Sequence, residues 1–384
     1  PTPWKAEWIW LNETVFQQLQ TSRPTVFCDG TGLIPALALF RREFHLDGPV
    51  RSAHAWVSGD VKYRFFVNGE PVGRGPAEVG GDYGNTETLD YWFYDTYDLG
   101  ERLMPGSNVL CAEVLLQPDM MADYSMGHGG FLLELDWICA DGTAGTWTTD
   151  ETWKGIANPA FLNITSYDAR LEPLGWHDAG YDNAGWPPVS VLEKACMEAD
   201  AIATGNRHRW PLLPREIPPL MEVRIHPKEV HEPFREQIGA LICPEALLSC
   251  RGDGVAMDVK GASPGEMQTT IVPFGAPCTF WLDFGKIHSG RLYAEMEGPS
   301  GTHVRFCYQE IAGRTDRSFD LVLRDGRQMY EGIRLESVRY IQVTVSNLTG
   351  PVVLHEIAIH FSSYPVRYLG GFDCSDPDLV HIYE

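Results

Sequence analysis

The sequence has no apolar run of the roughly 18 residues that a membrane-spanning helix needs, so no such helix is expected. It is poor in cations, with 30 Lys and Arg against 52 Asp and Glu and a formal net charge of −22. Nucleic acid and anionic membranes are bound by clustered Lys and Arg, so neither is expected as a partner; a neutral ligand such as a sugar fits better. The start, PTPWKAEWIW, lacks a charged stretch followed by an apolar one. No secretory signal is read there, and a cytoplasmic location is expected unless a signal was removed before Pro1. The nine Cys are odd in number and form no CxxC pair. That argues against a disulfide framework and a zinc or redox site, and for free thiols in a reducing compartment. Three Asn-x-Thr triplets, at Asn12, Asn163 and Asn347, bear only on a eukaryotic secretory pathway.

Catalytic and cofactor signatures are also missing. HExxH, HxxxH and GxSxG are absent, and His177 and His208 stand isolated beside Trp residues. No metal and no cofactor is expected. The stretch Gly73 to Glu78 begins like a phosphate loop, but Pro76 and Glu78 stand where a free N–H and a Gly are needed. Arg251-Gly252-Asp253 reads as an ordinary turn. The carboxylates are many, yet sequence alone brings no two to the separation a glycosidase uses. No catalytic residue is assigned.

What is present is β structure. Twelve Trp, 15 Tyr, 38 Gly and 27 Pro suit strands joined by many turns. In AHAWVSGDVKYRFFVNGEPVG, Tyr63, Phe65 and Val67 point one way and Lys62 and Arg64 the other, and Asn68-Gly69 is a hairpin turn. SNVLCAEVLL and GFLLELDWICADGT are further strands, the second closed by Asp141-Gly142. VLEKACMEADAIA reads as a short helix or an irregular crossing, and RWPLLPREIPPL as an extended Pro-rich linker. Alternation resumes at Cys278, Phe280, Leu282 and Phe284, at Leu292, Ala294 and Met296, and at Val304, Phe306 and Tyr308. The expected fold is all-β: two antiparallel β-sandwiches, at 1–205 and 221–368, joined by a linker at 206–220. Residues 369–384 change character. Ser375 reads as an N-cap, Pro377 sits in a first turn, and Leu379, Ile382 and Tyr383 begin a helical stripe.

The best local candidate for contact is the turn-rich stretch between Gly73 and Tyr97. Tyr83, Tyr91 and Trp92 offer ring faces to sugar C–H surfaces, with Arg74, Asp82 and Asp90 as polar groups at the rim. The number of rings exceeds what one sugar needs, so docking to another domain is the preferred expectation.

Several stretches in order resemble the non-catalytic front half of bacterial α-L-rhamnosidases of glycoside hydrolase family 78. They are AHAWVSGDVKYRFFVNGEPVGRGP, YDTYDLGERLMPGSNVLCAEV, SYDARLEPLGWHDAGYDNAGWPPVSV, FWLDFGKIHSGRLYAEMEGPSGTHVRFCYQE and GGFDCSDPDLVHIYE. The resemblance implies a galactose-binding-like, jelly-roll first sandwich and a second sandwich. It implies that 369–384 opens an (α/α)6 catalytic barrel. It further implies that the acid and base of an inverting rhamnoside hydrolysis lie on that barrel, so this chain alone is expected to be inactive. The implied partners are the chain's own C-terminal catalytic domain and rhamnose-containing glycosides or polysaccharides. A free-standing carbohydrate-binding or adhesion module is the alternative.

Overall fold

A computed structural model describes residues 4–22, 34–77, 91–117, 129–205, 209–231, 250–252, 255–260, 268–273, 277–314, 317–367 and 369–383. Within them the chain is mostly β-strand. Two sheets make the first sandwich. One runs Ser190–Lys194, Glu7–Trp10, Gly130–Cys139, Val50–Asp60, Trp92–Asp98, Pro211–Pro214, Cys196–Met197, with Ala144–Thr148 paired to Gly130–Cys139. The other runs Lys154–Ala157, Ala36–Leu46, Gly106–Leu116, Lys62–Val67, Glu70–Gly75.

The strand Lys62–Val67 shows how sequence dictates this layering. Tyr63, Phe65 and Val67 are at most 1% exposed and face the core between the sheets, where Phe40 and Val114 of their own sheet and Phe131 of the opposite sheet join them. Side chains alternate across a strand, so Arg64 is left on the outer face. Asn68 and Gly69 have φ of 52° and 85°, as a two-residue hairpin turn requires. The Asn68 side chain then fixes the turn against its neighbours. Its Oδ1 accepts from Val109 N at 2.9 Å, and its Nδ2 donates to Arg102 O and Asn108 Oδ1 at 3.0 Å.

The second sandwich is one sheet folded over on itself around the 21-residue strand Cys278–Gly298. The first part of that strand pairs with Glu336–Ser346, and its last part pairs with Gly326–Glu331 and Val352–Ser363. A register shift between Asp283 and His288 marks the bend where partners change. The alternating residues read from the sequence line the core: Phe280, Leu282, Phe284, Ala294, Met296 and Phe306 are at most 2% exposed.

The structure departs from the sequence-based expectations in four places. The helix Glu13–Ser22 was not anticipated; Asn12 starts it by accepting from Thr14 N through its side chain and from Phe16 N through its carbonyl. Phe16 and Leu19, three apart, then pack on the first core. The pairing is not wholly antiparallel, because Pro211–Pro214 runs parallel to Trp92–Asp98 and Ser166–Asp168 runs parallel to Arg317–Val322. The Pro-rich stretch is extended, as expected, but part of it is a sheet strand on the first sandwich. Finally, the helix Pro377–Tyr383 is capped by Asp376, whose Oδ1 accepts from Asp378 N at 3.0 Å; Ser375 does not fill that role.

The two sandwiches share apolar contacts. Leu37, Leu115, Ala160, Phe161 and Tyr167 lie in the same core cluster as Phe306, Phe319 and Leu321.

Candidate functional site

Arg74 lies on the edge strand Glu70–Gly75, on the outer face of the five-stranded sheet. Its guanidinium reaches toward the second sandwich. Nη2 pairs with Glu331 Oε1, and Nε lies 3.4 Å from Glu222 Oε2, both on the second sandwich. Arg64, on the neighbouring strand, donates through Nε to Glu113 Oε2 at 2.5 Å and reaches Glu331 Oε2 at 3.5 Å. Glu331 Oε1 also accepts from His360 Nδ1 at 2.6 Å. Arg224 Nε donates to His360 Nε2 at 2.8 Å, which assigns the imidazole proton to Nδ1. Burial alone would raise the Glu331 pKa. The hydrogen bonds from His360 and Arg74 and the charges of Arg74 and Arg64 outweigh it, holding this carboxyl well below the usual range.

Trp92 is 7% exposed, and its Nε1 donates to Gly59 O at 3.1 Å. Tyr91 packs edge-on against Phe93, with ring centroids 5.4 Å apart. Tyr94 is 8% exposed against Trp4. The rings at Trp92 and Tyr94 are therefore taken up by the chain's own core and form no open platform. Asp82, Tyr83 and Asp90 lie outside the described residues, as do His208 and Asp253. Of the described candidates, Arg74 pairs with the second sandwich, while Tyr91 packs on Phe93 and Trp92 bonds to Gly59.

Beneath this stretch is a polar cluster that the sequence did not reveal. Tyr63 Oη donates to Asp95 Oδ2 at 2.5 Å and lies 2.9 Å from Tyr97 Oη. Arg215 Nε sits 2.9 Å from Asp95 Oδ1. Burial pushes the Tyr63 hydroxyl well above its ordinary pKa and raises that of Asp95, with Arg215 opposing the latter. A Cβ at Gly75 would collide with the Asp95 carboxylate and the Tyr63 ring, so only glycine fits there. The cluster ties the strands bearing Tyr63 and Asp95 to the segment leading out of the first sandwich.

The buried carboxylates among the described residues are all engaged in such work. Asp60 accepts from Trp210 Nε1, Glu134 from the N–H groups of Lys5 and Ala6, Asp168 from Arg170, and Asp283 from Arg339 and Gly285 N. Asp95 and Glu113 have the partners given above. His177 stacks on Phe66 and contacts Asp178. Among the described residues no group of three His, Cys, Asp or Glu is placed to hold a metal ion, and no helix is long and apolar enough to cross a membrane.

Fold and polar groups together define a two-sandwich β protein whose interior charges serve its own architecture. Comparison with known proteins shows what the chain is similar to. Residues 48–204 match the family model of the alpha-L-rhamnosidase N-terminal domain. An alpha-L-rhamnosidase of Streptomyces avermitilis is 30% identical over 328 residues, covering 79% of this chain and 26% of that protein. One from Formosa agariphila is 29% identical over 205 residues, covering 47% of this chain and 21% of its own length. Among solved structures, the GH78 family rhamnosidase of Bacillus sp. GL1 superposes with a TM-score of 0.70 at 20% identity, over 99% of this chain and 57% of that one. The alpha-L-rhamnosidase of Streptomyces avermitilis complexed with L-rhamnose gives 0.64 at 19% identity, over 91% of this chain and 31% of that one. These matches support the resemblance read from the sequence, to the N-terminal region of a family 78 rhamnosidase. The chain spans about a quarter of the length of the curated relatives it matches.

Proposed function

We propose that the chain is the accessory region of an α-L-rhamnosidase-type glycoside hydrolase, with a first sandwich ending near residue 205 and a second beginning near 221. Its task is to support a helical catalytic domain of the same polypeptide, and the acid and base of an inverting hydrolysis belong to that domain. The observation that carries this reading is one of coverage. Nearly the whole chain superposes on rhamnosidases of which it makes up no more than 57%. The engaged buried carboxylates support it, because an inverting glycosidase needs two carboxyl groups about 6.5–9.5 Å apart with room for water between them. Exposed apolar side chains support it too. Val366, Leu369 and Ile382 are 64, 91 and 79% exposed along the segment that leads from the second sandwich to the helix Pro377–Tyr383. A helix of seven residues is marginal alone, and such a strip is the kind of surface another domain covers.

Removing residues 1–384 from the full-length enzyme tests the supporting role. The expected outcome is a lower melting temperature and loss of soluble, active protein. A shortened enzyme that keeps both its melting temperature and its kcat/KM on an aryl α-L-rhamnoside would overturn it. Millimolar L-rhamnose binding by the isolated chain in that case would favour a carbohydrate-binding module instead.

A further inference from the structure

We infer that an ionic latch centred on Glu331 makes the two sandwiches a single rigid body that unfolds as one unit, so that they are not two modules on a flexible linker. Three independent contacts converge on this. The first is the latch. Arg64 and Arg74 reach from the first sandwich to Glu331, and Arg74 also approaches Glu222, which is itself held by Arg291 Nη1 at 2.7 Å. His360 donates to Glu331 from the second sandwich, so this carboxylate is shared by donors of both modules. Glu331 is 11% exposed and Arg64 and Arg74 are 21 and 24% exposed at the side chain, which shields the pairs from the screening that weakens surface ion pairs.

The second contact is backbone. Ser166–Asp168, between strands of the first sandwich in the chain, adds in parallel to Arg317–Val322 of the second, and Asp320 N donates to Thr165 O at 2.8 Å. Tyr167 on this segment meets Tyr330 at 5.3 Å between ring centroids, one residue before Glu331. The third is the connection itself. Pro211–Pro214 pairs with Trp92–Asp98, Arg215 N donates to Tyr94 O, and Arg215 pairs with Asp95. Met221–Ile225 then pairs with Val352–Ser363. Only residues 215–220 lie between a strand bound to one sandwich and a strand bound to the other, and Arg215 is itself held to the first, too few to let the sandwiches swing while the latch is closed.

The distribution of tryptophan makes the inference measurable. Eleven of the twelve Trp precede residue 211, and Trp281 alone lies in the second sandwich. Intrinsic fluorescence therefore reports the first sandwich, while hydrogen exchange of the strands around Cys278–Gly298 reports the second. The experiment is thermal unfolding of the chain carrying Glu331→Gln, beside wild type and the control Arg327→Gln. Arg327 lies on the same strand but pairs with Glu295 at an exposed position. In wild type the two probes are expected to give one midpoint. Glu331→Gln, on the second sandwich, is expected to lower the fluorescence midpoint of the first by roughly 5 °C, with the exchange-detected midpoint falling in step. Arg327→Gln should move neither by more than about 1 °C. If Glu331→Gln proves too unstable to purify, Arg74→Lys, which keeps the charge but loses the planar fork, is expected to lower both midpoints together by a smaller amount. A fluorescence midpoint that stays at the wild-type value while the second sandwich melts earlier overturns the inference, as do two separate transitions in wild type.

Discussion

At the residue scale, Glu331 shows how a single carboxylate is tuned by its surroundings. Its folded pKa is held below the ordinary value of about 4.3 by donors from both sandwiches. A depressed carboxylate stabilises the fold at every pH above its unfolded pKa, and that contribution is lost as pH falls through the folded value. The stability gap between wild type and Glu331→Gln is therefore expected to be on the order of 3 kcal/mol and constant above about pH 5. It should shrink steadily below roughly pH 4. Urea unfolding of both proteins from pH 7 to pH 3 measures it, and a gap that widens in acid would show that the charge is not what Glu331 contributes. None of this was legible in the sequence. Glu331 and Arg74 are 257 positions apart. The alternation that put Arg64 on an outer face said nothing of which surface that face would meet. Short-range pattern carries local geometry, and ion pairs between distant strands leave no period to detect.

At the element scale, legibility follows the range of the interaction. The hairpin at Asn68-Gly69 was readable because backbone φ at two residues decides it. The strands of both cores were readable because burial on one face imposes a period of two. The helix Glu13–Ser22 had a usable signal in Asn12 and in the Phe16/Leu19 pair, but its mean composition is polar and its stripe is two residues wide. Trp92 was read as part of a contact surface, and Tyr94 lies in the same stretch. Aromatic content alone does not distinguish a ring that packs inward from one that waits for a partner, and these two pack inward. Asn68→Ala tests the hairpin reading directly. The substitution forces a β-carbon residue without local hydrogen bonding into positive φ, and it removes the bonds of the Asn68 side chain to Val109 N, Arg102 O and Asn108 Oδ1. It is expected to lower stability by about 2 kcal/mol, while Asn68→Gly, which keeps the turn but not the bonds, should cost about half of that. Equal losses in chemical denaturation would mean that the backbone conformation contributes nothing there.

At the scale of the whole molecule, two sandwiches locked together present a firm surface to whatever they carry. The order of the modules was legible only through resemblance, on stretches from both halves of the chain. That resemblance gave no picture of their union, because the shared core joins Leu37 and Leu115 to Phe319 and Leu321 across some 200 or more positions. The buried carboxylates among the described residues are committed to Arg, Trp and backbone partners, which is charge held for structure. The most direct measurement of the proposed accessory role is turnover of an aryl α-L-rhamnoside by the isolated chain beside the full-length protein. The full-length protein is expected to release the aryl alcohol and the isolated chain to release none at any concentration. Release by the isolated chain that rises in proportion to its concentration, and survives repeated purification, would contradict it.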